Sequence, residues 1–368
     1  MKGKKVLHIV SVSFSLRYFI GNQFHYFKER GYEFHVACSP SDELVSLSKE
    51  FGFEVFPVPI LRSINPVQDI ITIAKIYRYI NQENFDIVIA HSPKGGLLGM
   101  ISGYLARVSK RIYFRHGLVF ETAVGFSRKL LINIERITAA FSHRIVNVSP
   151  SIIESSNNLK LNPPHKNVLL GNGTCNGIDV NRFVHRPVDS DFNVTTIGFV
   201  GRLCKDKGVY ELIGAWALLR KEYPALRLLL VGPLDERDKL DTAITDQIYA
   251  DPAIEYVGEV DDTSPYYNRM DIFVLPSYRE GFPTVTLEAS ASGLPIVTTR
   301  ATGCIDSIRE QETGIFADNT IAGIYHALKF YIDYPGIAQQ HGINGRAFVC
   351  ANFSEEKVYQ EIENELLS

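Results

Sequence analysis

The run Asp271-Ile272-Phe273-Val274-Leu275-Pro276-Ser277, continued by Arg279-Glu280-Gly281-Phe282-Pro283-Thr284-Val285-Thr286-Leu287-Glu288-Ala289-Ser290-Ala291-Ser292-Gly293-Leu294-Pro295-Ile296-Val297, decides the fold. Its first part is a short apolar run that stops at a proline, as expected of a parallel strand buried on both faces. A loop with one carboxylate, Glu280, follows. Pro283 to Thr286 is predicted to be the first turn of a helix, with proline at the first helical position, where its missing N–H would have no partner anyway. Gly293 and Pro295 stop that helix, and Ile296-Val297 opens the next strand. A strand, a Gly-bearing loop and a helix start make an anion site, because free N–H groups and the positive dipole end point the same way. Two carboxylates, Glu280 and Glu288, frame it. A carboxylate beside an anion site makes sense if the ligand also carries hydroxyl groups, as a sugar nucleotide does. The plain alternative is a capped amphipathic helix with two solvated acids.

Outward from this run, strand and helix patterns alternate along the whole chain, which predicts an α/β protein with parallel sheets wrapped by helices. Strands are predicted at 5–10, 33–38, 54–57, 86–90, 111–114, 144–148 and 166–170. After Asn172 the pattern loosens, through Gly173-Thr174-Cys175-Asn176-Gly177 and Arg186-Pro187, and then restarts with strands at 196–200, 226–231, 254–257, 272–275, 296–298 and 314–316. We therefore expect a first domain at 1–185, a second at 186–353 and an amphipathic C-terminal helix at 354–368, with Ser354 as its N-cap. The 368 residues are enough for two such domains.

Composition narrows the function. With 45% hydrophobic residues, 21% charged residues and a net charge of −3, the chain reads as soluble and globular, and not as a nucleic-acid binder, which would be basic. Five scattered cysteines, without metal spacing, read as reduced thiols in a cytoplasmic protein. The apolar run from Val6 to Val12, broken by His8 and Ser11, is too short for a signal peptide and suits a first strand. No stretch approaches the ~20 apolar residues of a membrane span.

Six further stretches are candidates for chemistry or binding. Gly198-Phe199-Val200-Gly201-Arg202 with Lys207-Gly208 puts two cations beside a strand end, Arg as a fork and Lys as a point charge, suited to a diphosphate. A surface loop with helix-start charges is the alternative. Arg115-His116-Gly117 puts a histidine at the C-terminal edge of a parallel sheet, where ligands bind, unless it merely satisfies a strand-end carbonyl. His91-Ser92-Pro93-Lys94-Gly95-Gly96 is a second candidate anion site, or a tight strand-to-helix turn. In the first loop Ser13, Ser15 and Arg17 are candidate ligands. Asp189-Ser190-Asp191 has the Asp-x-Asp form of a metal site but sits in the expected linker, so no catalytic metal is predicted. Phe126 to Ile137, with Arg128, Lys129 and Arg136, could lie on an acidic membrane surface or be a half-buried helix.

The run from Arg279 to Pro295 resembles the E-x7-E signature of the GT4-type retaining glycosyltransferases, and the resemblance spans nearly the whole chain. It implies the GT-B fold: two Rossmann-like doubly wound domains facing a central cleft, with a terminal helix crossing back to the first. It implies that Glu280 meets the donor-sugar hydroxyls, that Glu288 meets the ribose, and that the N–H groups of Thr284 and Val285 meet the diphosphate. Gly201, Gly281 and Phe282 would line the same donor. Arg202 and Lys207 would hold its phosphates and stabilise the leaving group, and His116 would contact the sugar. The loops at Gly232-Pro233 and at Glu255 to Val260 would lie near the nucleotide. The first loop departs from the family's frequent Gly-Gly; only Gly21 is near.

The expected activity is transfer of a hexose or N-acetylhexosamine from a nucleotide sugar, most simply a uridine diphosphate sugar, with retention and without a metal. The acceptor would be a glycan, polyprenyl-diphosphate-linked or soluble, in bacterial capsule, O-antigen or glycoprotein assembly. A cytoplasmic enzyme with peripheral association to the inner face of the membrane would suit a lipid-linked acceptor. Competing readings are a sugar-nucleotide epimerase, a sucrose- or trehalose-type synthase on the same fold, or a non-catalytic phosphate- or NAD-binding protein. Against NAD, no Gly-x-Gly-x-x-Gly follows the first strand.

Overall fold

The structure, a computed structural model, describes residues 4–184 and 194–368. It divides into two compact units: Met1–Gly177 with Glu356–Ser368, and Ile178–Glu355. Asp189 and Asp191 lie outside the described residues.

The first unit holds seven strands, β1 (Lys5–Ile9), β2 (Glu33–Cys38), β3 (Glu54–Pro57), β4 (Ile87–His91), β5 (Lys110–Arg115), β6 (Arg144–Asn147) and β7 (Asn167–Val168). They form one parallel sheet in the order β3-β2-β1-β4-β5-β6-β7. The order reverses at β1, so the crevice outside the carboxyl ends of β1 and β4 is where a doubly wound sheet admits a ligand. Both faces are covered. Leu7, Ile9, Val88 and Ala90 are buried within one apolar cluster with Leu98 and Met100 of the helix Pro93–Leu105. Each leucine-sized side chain so buried contributes roughly 1.5–3 kcal/mol. That helix lies close on the sheet because it carries glycine where it touches: a Cβ on Gly96 would stand 2.4 Å from the Tyr113 ring.

The second unit repeats the architecture with β8 (Thr196–Val200), β9 (Arg227–Val231), β10 (Ile254–Gly258), β11 (Ile272–Leu275), β12 (Ile296–Thr299) and β13 (Gly314–Ala317). Their order is β10-β9-β8-β11-β12-β13, again all parallel. The reversal falls between β8 and β11. The loops leaving these two strands carry Arg202 and Lys207, and Glu280, respectively.

Three local readings need correction. The helix after Glu280 runs Thr284–Ala291, and Pro283 caps it from outside with φ −74° and ψ 100°. Its carbonyl accepts from both the N–H and the hydroxyl of Thr286, at 3.1 and 2.6 Å, so proline serves as the N-cap and not as the first helical residue. The first loop is partly helical, at Ser15–Phe19. The C-terminal helix begins at Glu355 and runs to Ile362, then widens into a π-type turn, Glu363–Leu367. From Glu356 on it belongs to the first unit, where Tyr359 packs on Tyr26 and Phe27 with ring centroids 5.1 and 6.1 Å apart.

Candidate active site

In the second unit the backbone first brings two loops into contact. Gly208, in the left-handed region at φ +71°, lets the turn Lys205–Lys207 abut the end of β11: a Cβ there would lie 2.1 Å from the Pro276 carbonyl oxygen. Tyr278 N–H donates to the Asp206 carbonyl at 2.9 Å, and Arg279 reaches the Asp206 carboxylate at 2.7 Å. Lys207 and Glu280 thereby meet in an ion pair, and Ser277 Oγ donates to the same Glu280 Oε1 at 2.8 Å. The Glu280 N–H is spent on the Thr302 carbonyl at 2.9 Å, and Gly303 passes so close that a Cβ would lie 2.4 Å from the Gly281 oxygen. The carboxylate is thus held by two side chains and its backbone by the neighbouring loop, with Gly281 and Phe282 half-buried beside it. Just beyond, Thr284 and Val285 begin the helix, and the first N–H groups of a helix have no intrahelical partner.

Arg202 is ion-paired to Asp235, whose other oxygen accepts from the N–H groups of Arg237 and Asp238 at 2.7 and 3.1 Å. Half of the arginine side chain stays exposed. Gly201 and Gly232 cross back to back here; a Cβ on Gly232 would lie 2.1 Å from the Gly201 oxygen. Leu203 N–H donates to the Pro233 carbonyl at 2.8 Å, so the Gly-Pro end of β9 supports this loop directly. Glu288, half-buried, accepts from Tyr267 Oη at 2.7 Å and from Thr263 Oγ1 at 3.4 Å. Burial pushes its carboxyl above the usual carboxylate range, against the hydrogen bond from Tyr267 and the Arg182 charge.

In the first unit His116 follows β5 and is bonded through Nε2 to His91 Nδ1 at 2.9 Å; Phe19 stacks on its ring at 3.7 Å and 8°. His91 is itself buried and bonded to His8, so it is not an accessible ligand. Lys94 is tied to Asp69 at 2.6 Å and to the Ser63 carbonyl at 3.0 Å, which occupies the cation of that second candidate anion site. Ser13 donates to Glu43 at 2.5 Å, Ser15 is buried, and Arg17 forks onto Glu50 at 2.8 and 2.7 Å. Among the described residues, no group of three or more His, Cys, Asp or Glu is arranged to hold a metal ion.

Comparison with known proteins gives the family. Residues 194–334 match the family model described as glycosyl transferases group 1, and residues 19–175 match glycosyltransferase family 4. The chain belongs to the GT4-type glycosyltransferases. A capsular polysaccharide biosynthesis glycosyltransferase of Staphylococcus aureus, CapM, is 29% identical over 99% of this chain and 97% of its own length. The N,N'-diacetylbacillosaminyl-diphospho-undecaprenol alpha-1,3-N-acetylgalactosaminyltransferase of Campylobacter jejuni is 26% identical over 76% of each chain. The crystal structure of HepE of Anabaena in complex with UDP and glucose superposes with a TM-score of 0.82 at 17% identity, covering 99% of this chain and 100% of that one, which shows the GT-B fold.

For this glycosyltransferase, sequence reasoning named Lys207, Glu280, Arg202 and Glu288 but not the residues that hold them. Asp235, Tyr267 and Thr263 come from other loops and helices, and no spacing in the sequence marks them; Asp206, beside Lys207, ties its turn to Arg279. Ser277, three residues before Glu280, was in view and is the one partner a local reading could have assigned.

Proposed function

We propose that the chain is a retaining glycosyltransferase that moves a hexose or N-acetylhexosamine from a uridine diphosphate sugar to a glycan acceptor. The observation that carries this reading is the Lys207–Glu280–Ser277 cluster at the switch point of the second sheet, beside the open start of the helix Thr284–Ala291. A cation, an oriented carboxylate and free N–H groups at one strand end are what a diphosphate bearing a polyhydroxylated sugar requires. In this reading the N–H groups of Thr284 and Val285 take the diphosphate with Arg202 and Lys207. Glu280 accepts from sugar hydroxyls, Glu288 from the ribose, and His116 serves a sugar hydroxyl. Charge developing on the leaving phosphate is absorbed by Arg202 and Lys207, and the acceptor's proton passes to that phosphate on the same face. Retention then needs no nucleophilic carboxylate.

The names of the capsular and undecaprenyl-linked relatives support a lipid-linked glycan as acceptor, in capsule or related surface-glycan assembly. Among the described residues no helix is long and apolar enough to cross a membrane. The helix Gly125–Phe141, however, begins with Val124 and Phe126 about four-fifths exposed beside exposed Arg128 and Lys129, a face that suits an anionic membrane surface. Arg136 is already engaged with the Leu159 carbonyl at 2.9 Å, so it contributes less to that face. The test is a donor screen that detects released nucleotide with a polyprenyl-diphosphate glycan present. Turnover with a UDP-sugar, with the product's anomeric configuration retained, is the expected result; hydrolysis or epimerisation without transfer would overturn it.

A further inference from the structure

Three histidines, two on the neighbouring strands β1 and β4 and one just past β5, form one unbroken line of hydrogen bonds. His8 Nδ1 meets His91 Nε2 at 3.0 Å, and His91 Nδ1 meets His116 Nε2 at 2.9 Å. The sheet register produces this. His8 pairs with Ile89 across β1 and β4, and His91 lies two residues further on. His91 pairs with Phe114 across β4 and β5, and His116 again lies two residues further on. Steps of two keep side chains on one face of a sheet, so the three rings climb diagonally along it. Their planes are within 19° and 23° of each other.

We propose that His8 and His91 are positioning residues that fix His116 in one tautomer and one orientation, so that its Nδ1–H donates to a sugar hydroxyl of the substrate. Each ring, when neutral, carries one proton, and each of the two N···N bonds needs one. Only two arrangements satisfy both bonds: every ring protonated on Nδ1, or every ring on Nε2. They differ in where the third proton rests, on His116 Nδ1 or on His8 Nε2. Neither of these terminal atoms has a protein partner among the described residues. His8 Nε2 belongs to a ring that lines a small cavity walled by Ile20, Gln23, Phe27, Phe34, Ile362 and Leu367, and the Gln23 amide is turned to Cys175 and Asn176 and makes no hydrogen bond to His8. A buried N–H left without an acceptor is rarer and costlier than a bare lone pair. The proton therefore rests on His116 Nδ1, where substrate can accept its hydrogen bond. Burial keeps all three rings neutral: it pushes His8 and His116 down to about 3, and His91 well below its ordinary value. Phe19, stacked on His116, fixes the ring plane.

The proposal rests on the reading of His116 as a sugar contact, and the experiment separates the two. Full-length protein with 15N-labelled histidine is examined by ring-nitrogen NMR at neutral pH, the His116 signals being assigned by their loss in His116→Phe. The expected wild-type signature is a neutral ring with the proton on Nδ1. His91→Leu should convert His116 to averaged tautomers and lower kcat/KM about tenfold, the effect of one hydrogen bond. His91→Asn, which keeps a polar atom at the Nδ1 position, should restore most of that loss. His8→Leu, one ring further away, should release the tautomer in the same way and serves if His91 variants fold poorly. A charged, Nε2-protonated or averaging His116 in the wild type overturns the proposal. So does a His116 spectrum indifferent to both His91→Leu and His8→Leu. Full turnover by His116→Phe removes the sugar-contact reading beneath it, whatever the spectra show.

Discussion

Lys207 and Glu280, 73 residues apart in the chain, form an ion pair whose side chains are 18% and 12% exposed, at the point where the second sheet reverses its strand order. Ser277 completes the pair with a 2.8 Å hydrogen bond to the shared carboxylate oxygen. Each partner answers the other's charge, and under the proposed function the cation would meet phosphate and the carboxylate sugar hydroxyls.

Separate removal of the two charges follows from this. Lys207→Met leaves a half-buried carboxylate without its cation and should cost about 1–3 kcal/mol of stability. The double variant Lys207→Met/Glu280→Gln should recover most of that loss, because no unpaired charge remains. Transfer should fall about a hundredfold or more in every variant. Denaturant melts and nucleotide-release rates on the wild type, Lys207→Met, Glu280→Gln and the double variant check this. A double variant that regains turnover would remove both residues from the donor site.

Glu288 should act in the opposite sense on stability. Its carboxyl is raised above its unfolded value by burial, so the folded state binds more protons than the unfolded one just above the ordinary carboxylate range. Stability is therefore lost as pH rises through that window. Glu288→Gln keeps an oxygen to accept from Tyr267 and should unfold at the same or a higher temperature at pH 7. The gain should vanish below about pH 4. Weakened donor binding in the same variant, read by calorimetry with UDP-sugar, is the companion result. A variant clearly less stable at pH 7 would show that the charge is compensated in the folded protein.

The histidine line sets an acid limit. From an ordinary value of 6.5, His8 and His116 are pushed down to about 3 and His91 is held well below it. The unfolded chain then binds more protons than the folded one below the ordinary value, so stability present at neutral pH is lost as pH falls from about 6.5 towards 3. The rings are packed among Phe24, Phe34, Phe19 and Phe114, and among the described residues no carboxylate is hydrogen-bonded to any of them. Unfolding free energy should fall by several kcal/mol between pH 7 and pH 4, to order of magnitude. His8→Leu should flatten that slope. An unchanged slope in that variant would assign the acid loss to other groups.

Chelation should leave turnover intact. Among the described residues no His, Cys, Asp or Glu cluster suits a metal, and the cations at the second-unit site are Arg202 and Lys207. Turnover lost in strong chelator and restored by magnesium or manganese would reverse this expectation.

Vesicle binding should depend on salt. Basic residues near anionic lipid contribute roughly 1 kcal/mol each, and the attraction fades as salt rises. Arg128→Glu/Lys129→Glu should abolish flotation with acidic vesicles at low salt. Flotation indifferent to the reversal would point to another face of the protein.

Read residue by residue, the sequence determined the elements and the chemistry of the loops between them. Short runs dominated by apolar residues marked most strands of both sheets, because burial on two faces favours apolar side chains, although His8, His35 and Thr298 interrupt some of them. The Glu280 to Glu288 spacing and the Arg202 and Lys207 pair were legible for the same local reason. What the sequence left open was partnership. Whether Lys207 answers Glu280 or Arg202 answers Asp235 depends on which strand ends the sheet order places side by side. That order is set by crossovers tens of residues long. The line His8–His91–His116 is the clearest case: single histidines on separate strands carry no periodic signal, and only the two-residue steps of the sheet register bring their rings together. Protonation followed the same rule, since a carboxyl or imidazole shifts according to how completely the fold removes water from it, and that is a property of packing alone.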